Sequence, residues 1–445
     1  MVESLGFNES QIRGIVVLES IIDRPNLDRR VGAILVVLVL LFLFPPLSAG
    51  GYSSSVFKGM VLISLFFCWS DMRLTKWEKW LSIGMVLVFI TAALSLFESQ
   101  NLDAGLKILG KPGHFLFFIP AYIFIRRQAM LPLYALLSGL VLASLVFAVI
   151  GYLQRYHSPV DAGLHLRDGI PRAQGSINPI MFGQLSVLFA FLQIAALIVF
   201  RHQVKSWLLI LPIFGALFAV YASGTRGAFI YIPIATVLII WAYRASLGRV
   251  FTLSILGIFL VGLAIIAVTN NPVSKMFIVG INEIMEPPLD PYAHRSWGSR
   301  VEMWRNSIEI FLNHPFIGTG LGDYRDDMKA LVDSGFSRSK DPFLYAHHSH
   351  NIYFQALAVT GGLGLLALVF GAFLIPALFF HYGWQRADDP WQRFAALGGI
   401  LTVFAYALFG VTGAWTSSHG ATSGYLLLLI IFLSVVGPPD AGTRE

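Results

Sequence analysis

A single cysteine, Cys68, stands in the sequence, so no intrachain disulfide can form and any extramembrane part must hold together without one. Charge is scarce as well: 13% of the 445 residues are Asp, Glu, Lys or Arg, against 56% hydrophobic residues and a mean hydropathy of +0.70. One soluble core of this length needs far less apolar surface, and the apolar residues come in runs long enough for lipid. The charge present leans positive, with a formal net of +6 and an isoelectric point near 9.3. No basic patch interleaved with aromatics and no zinc-knuckle spacing accompanies it, so nucleic acid is not an expected partner. Carboxylates paired for glycosidase work are also lacking, as is an HExxH or cysteine metal motif. The first 30 residues hold no short apolar segment ending in a small-residue cleavage site. They are expected to be a cytoplasmic tail and not a removable signal peptide.

What is there is a series of apolar segments, at about 31–49, 55–70, 80–97, 113–125, 131–153, 179–201, 206–222, 227–244, 250–270, 352–381, 393–414 and 421–437. The fold class expected is all-α: a polytopic membrane protein of about twelve spans. The fourth segment is thin for a bilayer of about 30 Å and is expected to extend backward through Lys111-Pro112-Gly113-His114. Pro45-Pro46 is expected to kink or end the first.

With the N-terminus inside, the inner loops carry Arg73, Lys76 and Lys79; Arg126 and Arg127; Arg201 and Lys205; Arg244 and Arg249; then Arg386 and Arg393. The outer connections at 50–54 and 415–420 carry no lysine or arginine, the asymmetry that the positive-inside rule expects. An even number of spans puts both termini in the cytoplasm. Four outer segments break the rule: Lys107 and Lys111; Arg155, Arg167 and Arg172; Arg226; and 271–350 with Arg295, Arg300 and Arg305. Charge stranded there points to an anionic ligand on that side. Long loops translocate regardless of charge, which offers a bland account of 271–350 but not of the short loops.

The organisation expected is a tail at 1–30, spans at 31–270, an outer helical loop domain at 271–350, spans at 351–437 and a tail at 438–445. Within the loop domain, Ser299-Arg300-Val301-Glu302 has the capping-box pattern. Val301, Trp304, Ile308 and Phe311 then recur at helical spacing until Asn313-His314-Pro315 stops the run, which places Arg300 and Trp304 on one face. A second helix is expected from Asp323 to Gly335. Between them, Gly318-Thr319-Gly320-Leu321-Gly322 follows no strand and reads as a turn, not a nucleotide loop.

The densest polar cluster is His347-His348-Ser349-His350-Asn351, just before the tenth span. A histidine at a partly dry interface can move protons near neutral pH, and His350 is the general-base candidate. A metal site and a purely structural cap are the rivals, although adjacent histidines rarely converge on one ion. Arg226 lies in the small-residue turn Ser223-Gly224-Thr225-Arg226-Gly227, and Arg172 precedes Asn178-Pro179 at the sixth span. The planar fork of either arginine suits a phosphate, and either could instead pair with an outer carboxylate. Lys107 and Lys111 are weaker candidates, since flanking lysines snorkel. No charge is evident deep in the spans beyond edge cases such as Lys58, which argues against a proton-coupled transporter.

His350-Asn351, nine residues, then Gly361-Gly362-Leu363-Gly364 resemble the signature of the O-antigen ligase family. The resemblance extends to the turn at 223–227, the segment Arg172–Pro179, and the run from Arg300 and Trp304 to Gly318 and Gly320. It implies an inverting, metal-independent glycosyltransferase without cofactor, working at the periplasmic face of the bacterial inner membrane. The donor is an O-antigen on undecaprenyl diphosphate and the acceptor is lipid A core, with membrane lipid around both. Carried onto these residues, His350 takes the acceptor's proton, while Arg226, Arg172 and Arg300 hold the departing diphosphate. His347, His348, Asn351, Trp304, Asn178, Lys107 and Lys111 are supporting candidates, and spans five to ten are expected to supply a groove for the polyprenyl tail.

The superfamily also includes O-antigen polymerases and O-linking oligosaccharyltransferases. Arg172, with ten residues before Gly183, fits a polymerase-type motif as well. The short stretch after the last span favours the ligase over the oligosaccharyltransferase. A flippase is the reading from a different class, and the gathering of arginines at one face speaks against it.

Overall fold

A computed structural model describes residues 26–42, 52–67, 74–128, 130–159, 163–167, 170–202, 206–244, 296–345 and 347–437, with isolated positions at 278, 282 and 285. The expected ninth span, Pro45-Pro46 and Cys68 lie outside the described residues. Helices dominate: α1 (Asn26–Phe42), α2 (Tyr52–Phe67), α3 (Lys76–Leu94), α4 (Leu102–Leu109), α5 (Phe118–Gln128), α6 (Met130–Tyr156), α7 (Pro179–Val199), α8 (Ile210–Ser223), the single turn α9 (Arg226–Phe229), α10 (Tyr231–Tyr243), α11 (Ser296–Asn313), α12 (Tyr324–Asp333), α13 (Ile352–Leu366), α14 (Ile375–Arg386), α15 (Pro390–Thr412) and α16 (His419–Val436). A π-helical stretch, Ala367–Leu374, joins α13 to α14. Leu166–Arg167 and Ile170–Pro171 form a two-residue antiparallel ladder.

Among the described residues, nine helical units are long and apolar enough to cross a membrane, so the architecture is that of an all-α polytopic membrane protein. The described parts of α1 and α2 cover 17 and 16 residues. The thin fourth segment does extend backward: Leu102–Arg126 forms one 25-residue unit through a tight turn at Pro112–Phe115. The described part of α1 includes residues 26–30, within the stretch expected to be tail.

The most enclosed helices are α7, α15 and α16, whose apolar windows are 72%, 78% and 78% buried, against 22% for α10. Two buried tyrosine hydroxyls inside are satisfied by backbone carbonyls, as a lipid surround favours. The Tyr231 hydroxyl donates to the Leu401 carbonyl at 3.0 Å, and Tyr425 donates to the carbonyl of Ala372. The π-helical stretch brings Gly371 directly against Gly84 of α3, where an added Cβ would lie 2.2 Å from the Gly84 oxygen.

At one end of the bundle, Glu78 is buried in the first turn of α3. Its carboxylate accepts from the Thr75 amide at 2.7 Å, the Tyr122 hydroxyl at 2.7 Å and Arg126 at 2.5 Å. The sequence places Arg126 in an inner loop; the structure shows it serving a buried ion pair.

The other end carries α11 and α12. The capping box expected at Ser299 does not form, because α11 begins three residues earlier. Ser299 instead donates to Asp341 at 2.6 Å, and Glu302 accepts from the Arg338 amide at 2.6 Å, so both hold the segment 337–341. Helix α12 starts after Asp323 and stops before Gly335 (φ 78°), as expected. The Asp323 carboxylate reaches across to accept from the Gln100 and Asn101 amides at 2.7 and 2.9 Å, tying α12 to the connection between α3 and α4.

Candidate active site

His350 is the one non-glycine residue with positive φ (54°) among the described residues. L-residues avoid this region, and structures that hold them there concentrate such strain at functional sites. The restraints are visible. Ser349 donates its hydroxyl to the Asn351 carbonyl at 2.6 Å and its amide to Gln355 at 2.7 Å, while its own carbonyl accepts from the Trp304 indole at 3.1 Å. Asn351 caps α13, accepting from the Tyr353 and Phe354 amides, and donates to the Val411 carbonyl at 3.1 Å. The His350 ring stacks on Phe343 at 4.9 Å and meets the His348 ring edge to face at 4.4 Å. The His350 amide donates to Nδ1 of His348 at 3.3 Å, which leaves the proton of neutral His348 on Nε2.

Burial pulls the pKa of His350 down to about 3, with His348 and the Arg300 guanidinium adding to the fall. Burial likewise takes His348 to about 4, helped by Lys111. Both rings are therefore neutral at physiological pH and able to accept a proton. Arg300 lies 6.0 Å from the Trp297 ring, and Trp304, one turn on, stacks on Phe354 at 5.4 Å.

The glycines after the loop break α13. Gly361 has φ 65° and ψ −165°, and a Cβ there would lie 2.3 Å from the Phe316 oxygen. The break leaves helix groups without their usual partners, and the segment before α12 supplies them. Thr319 and Gly320 amides donate to the Ala358 and Val359 carbonyls, and Gly362 and Leu363 amides donate to the carbonyls of Pro315 and Phe316. Non-helical backbone survives near membrane depth only when its polar groups are satisfied this way. Gly318, Gly320 and Gly322 all have positive φ and abut α13, Ser99 and Gly105 respectively. The triplet is a close-packed turn.

A second cluster forms at the turn after α8. Arg172 donates through Nε to the Ser223 carbonyl at 2.7 Å and through its terminal nitrogen to Thr225 at 3.3 Å, gripping the turn that carries Arg226. Thr225 donates to the Pro179 carbonyl at 2.7 Å, and Asn178 caps α7 by accepting from the Met181 amide. The two clusters are joined through the end of α15. Asn351 bonds Val411, and the next residue, Thr412, packs so closely on Gly227 that a Cβ there would lie 2.4 Å from its hydroxyl.

Beside the histidine loop lies a cavity of about 370 Å³. Lys107, Lys111, Arg325, His347 and His348 line its polar side, and Val88, Ala92, Phe115, Val359 and Leu368 are among its apolar walls. The structure thus gathers His347, His348, His350, Asn351, Trp304 and Arg300 at one loop and brings Lys107 and Lys111 to it; Arg172, Arg226 and Asn178 stand at the neighbouring turn. Among the described residues, no three His, Cys, Asp or Glu side chains group as a metal site.

Residues 211–369 match the family model described as O-antigen ligase. The match spans α8, the Arg226 turn, α11, α12, the histidine loop and the glycine break, so the geometry above falls largely within the matched residues; Arg172, Lys107 and Lys111 lie before them. A Haemophilus influenzae protein described as uncharacterized is 21% identical over 366 residues, covering 80% of this chain and 86% of its own length.

Proposed function

We propose that the chain is an inverting, metal-independent glycosyltransferase that joins O-antigen polysaccharide from undecaprenyl diphosphate to a lipid A core sugar. The reaction belongs at the periplasmic face of the inner membrane, with both termini cytoplasmic and 271–350 forming the helical domain over the site. His350 takes the proton of the acceptor hydroxyl as that oxygen bonds to the anomeric carbon of the donor's first sugar. The bond from that carbon to the diphosphate oxygen breaks, and its electron pair leaves with the diphosphate. Arg226 and Arg300 stabilise the growing negative charge, an electrostatic role fixed before the substrate arrives. Arg172 acts through the turn it grips. Trp304 and Asn351 hold the loop.

The observation that carries this reading is the His350 loop: a neutral imidazole on a backbone of positive φ, with the Arg300 guanidinium near it, followed by the glycine break, in the stretch that matches the O-antigen ligase family model. The test is reconstitution with lipid-linked O-polysaccharide and lipid A core in the presence of a chelator. Transfer to lipid A core is expected in the wild type and lost in His350→Ala at unchanged fold. Longer lipid-linked chains would identify a polymerase instead, and full transfer by His350→Ala would remove the proposed base.

A further inference from the structure

Two rows of exposed side chains mark where the bilayer ends. Along the unit Lys76–Phe97, Trp80, Ile83, Leu87, Ile90, Leu94 and Phe97 recur on one face over roughly 26 Å. Beyond the break in α13, Leu363, Leu366, Phe370, Leu374, Leu378 and Tyr382 do the same over roughly 28 Å. Each row is about as long as the hydrocarbon layer is thick, and Trp80 and Tyr382, at the Glu78 end, are aromatics of the kind that settle at an interface. Phe97 and Leu363 therefore stand at the opposite edge. The segment joining α11 to α12 is tied to both. The Leu363 amide donates to the Phe316 carbonyl at 3.2 Å, and Ser99, two residues past Phe97, donates its hydroxyl to the Leu321 carbonyl at 3.0 Å. The end of α11 is thus held at the depth where acyl chains begin.

Helix α11 is apolar on the side turned away from the protein. At about 100° per residue, buried Met303, Ser307 and Ile310 fall together, whereas exposed Val301, Ile308 and Leu312 lie within about 40° of one another on the opposite side. Leu312 is 65% exposed and Phe316, just past the helix, 74%. Arg305 falls in the same row but is drawn aside by Glu302 at 3.1 Å and the Phe336 carbonyl at 3.3 Å. Glu309 and Asn313 follow on the flank, where the Asn313 amide donates to Glu309, and form the polar margin that a helix at a membrane surface presents to headgroups.

We propose that α11 lies in the membrane surface, with Val301, Ile308, Leu312 and Phe316 among the acyl chains of the leaflet at this end of the bundle. The apolar row of α11 is continuous with Leu363 across the hydrogen bond to Phe316, so the lipid that covers the row from Leu363 to Tyr382 covers α11 as well. The contact also bears on the histidine loop. The carbonyls of Pro315 and Phe316 complete the backbone at the α13 break, so the bilayer braces the break and, through α13, the loop before it. The lipid contact is independent of the proposed reaction and is measured without turnover.

With Cys68→Ser removing the lone native thiol, a nitroxide is attached singly at Leu312→Cys, Phe316→Cys, Leu366→Cys and Lys329→Cys in protein held in phospholipid nanodiscs. Power saturation against oxygen, which concentrates among acyl chains, and against a water-soluble nickel chelate gives the logarithm of the contact ratio. The value is expected to be positive at Leu312 and Phe316, as at Leu366 in the lipid-facing row, and negative at Lys329, exposed on α12. Phe316→Asp is expected to reverse the sign at Leu312, because a carboxylate resists the acyl layer, whereas Phe316→Leu keeps it. The aspartate variant is also expected to speed hydrogen exchange at the Gly362 and Leu363 amides. Nickel contact at Leu312 and Phe316 as strong as at Lys329 overturns the proposal. So does shielding from both reagents, which would mean that protein and not lipid covers the row. Unchanged exchange at Gly362 and Leu363 in Phe316→Asp removes the brace on the break. Should a cysteine variant fail to fold, p-benzoylphenylalanine in place of Phe316 is irradiated in the same nanodiscs; a phospholipid adduct is expected, and its absence overturns the proposal.

Discussion

The depressed pKa of His350 sets two opposing demands on one ring. A pKa of about 3 keeps the imidazole neutral, yet a base that weak draws a proton poorly. Part of the depression comes from Arg300, and an anion beside that guanidinium offsets its field, so the ring becomes more basic when the donor binds. The acid limb of kcat, which reports the complex, is therefore expected at higher pH than that of kcat/KM, which reports the free enzyme. Coincident limbs, or the reverse order, would refute the coupling. The same ring affects stability with a definite sign. Its folded pKa lies below the unfolded value of about 6.5, so its contribution is present above pH 6.5 and fades as pH falls toward 3. His350→Gln is expected to flatten that part of the melting-temperature profile. Arg172 calls for a different readout, because it acts through the Arg226 turn. Arg172→Lys keeps the charge but loses the fork to Ser223 and Thr225, and is expected to lower kcat with little change in donor KM; a rise in KM alone would make Arg172 a direct ligand.

The break in α13 can be tested as an element. Gly361→Ala places a side chain at φ 65° and 2.3 Å from the Phe316 oxygen, whereas at Gly362 the nearest atom to a new Cβ is 3.2 Å away. Gly361→Ala is expected to cost at least about 2 kcal/mol and to abolish transfer, with Gly362→Ala much milder in both. Equal melting temperatures for the two variants would mean that the break carries no strain. The spacing of His350, Asn351, Gly361 and Gly364 was legible in the sequence, but the geometry it encodes was not. A glycine in an apolar run looks like ordinary membrane-helix packing, and the segment that stitches the break lies some forty residues earlier. Long, periodic apolar runs showed the spans well, because their order depends on local composition. Ser299 and Glu302 misled for the opposite reason: the local pattern fits a cap, but Asp341 and Arg338, distant in sequence, offer better partners. The cavity combines α3, α4, α12 and α13, which no linear motif could reveal; only the cations expected on the outer face, Lys107 and Lys111 among them, hinted at it.

On the scale of the whole molecule, the two ends of the bundle are fastened by unlike devices. At one end Glu78 is enclosed by Thr75, Tyr122 and Arg126; at the other, Asp323 holds α12 to residues 100–101, and residues 315–320 are stitched to the α13 break. Glu78→Gln strips the charge facing Arg126. Losing one partner of a fully buried pair costs about 3–5 kcal/mol, and with the Arg126 side chain 27% exposed the expected loss is smaller, on the order of 1–3 kcal/mol. Asp323→Ala removes the acceptor from two amides and should free α12 together with residues 98–101, seen as faster hydrogen exchange confined to those segments. Because α12 carries Arg325 and its neighbouring segment supports the glycine break, transfer should fall in Asp323→Ala more than in Glu78→Gln at comparable stability. The two sites share no partner, so the double variant is expected to be additive in stability within about 0.5 kcal/mol. A larger coupling would show that strain passes along α3 from the ion pair to the cavity, and the fastenings at the α12 end would then have to be treated as one unit with the rest of the bundle.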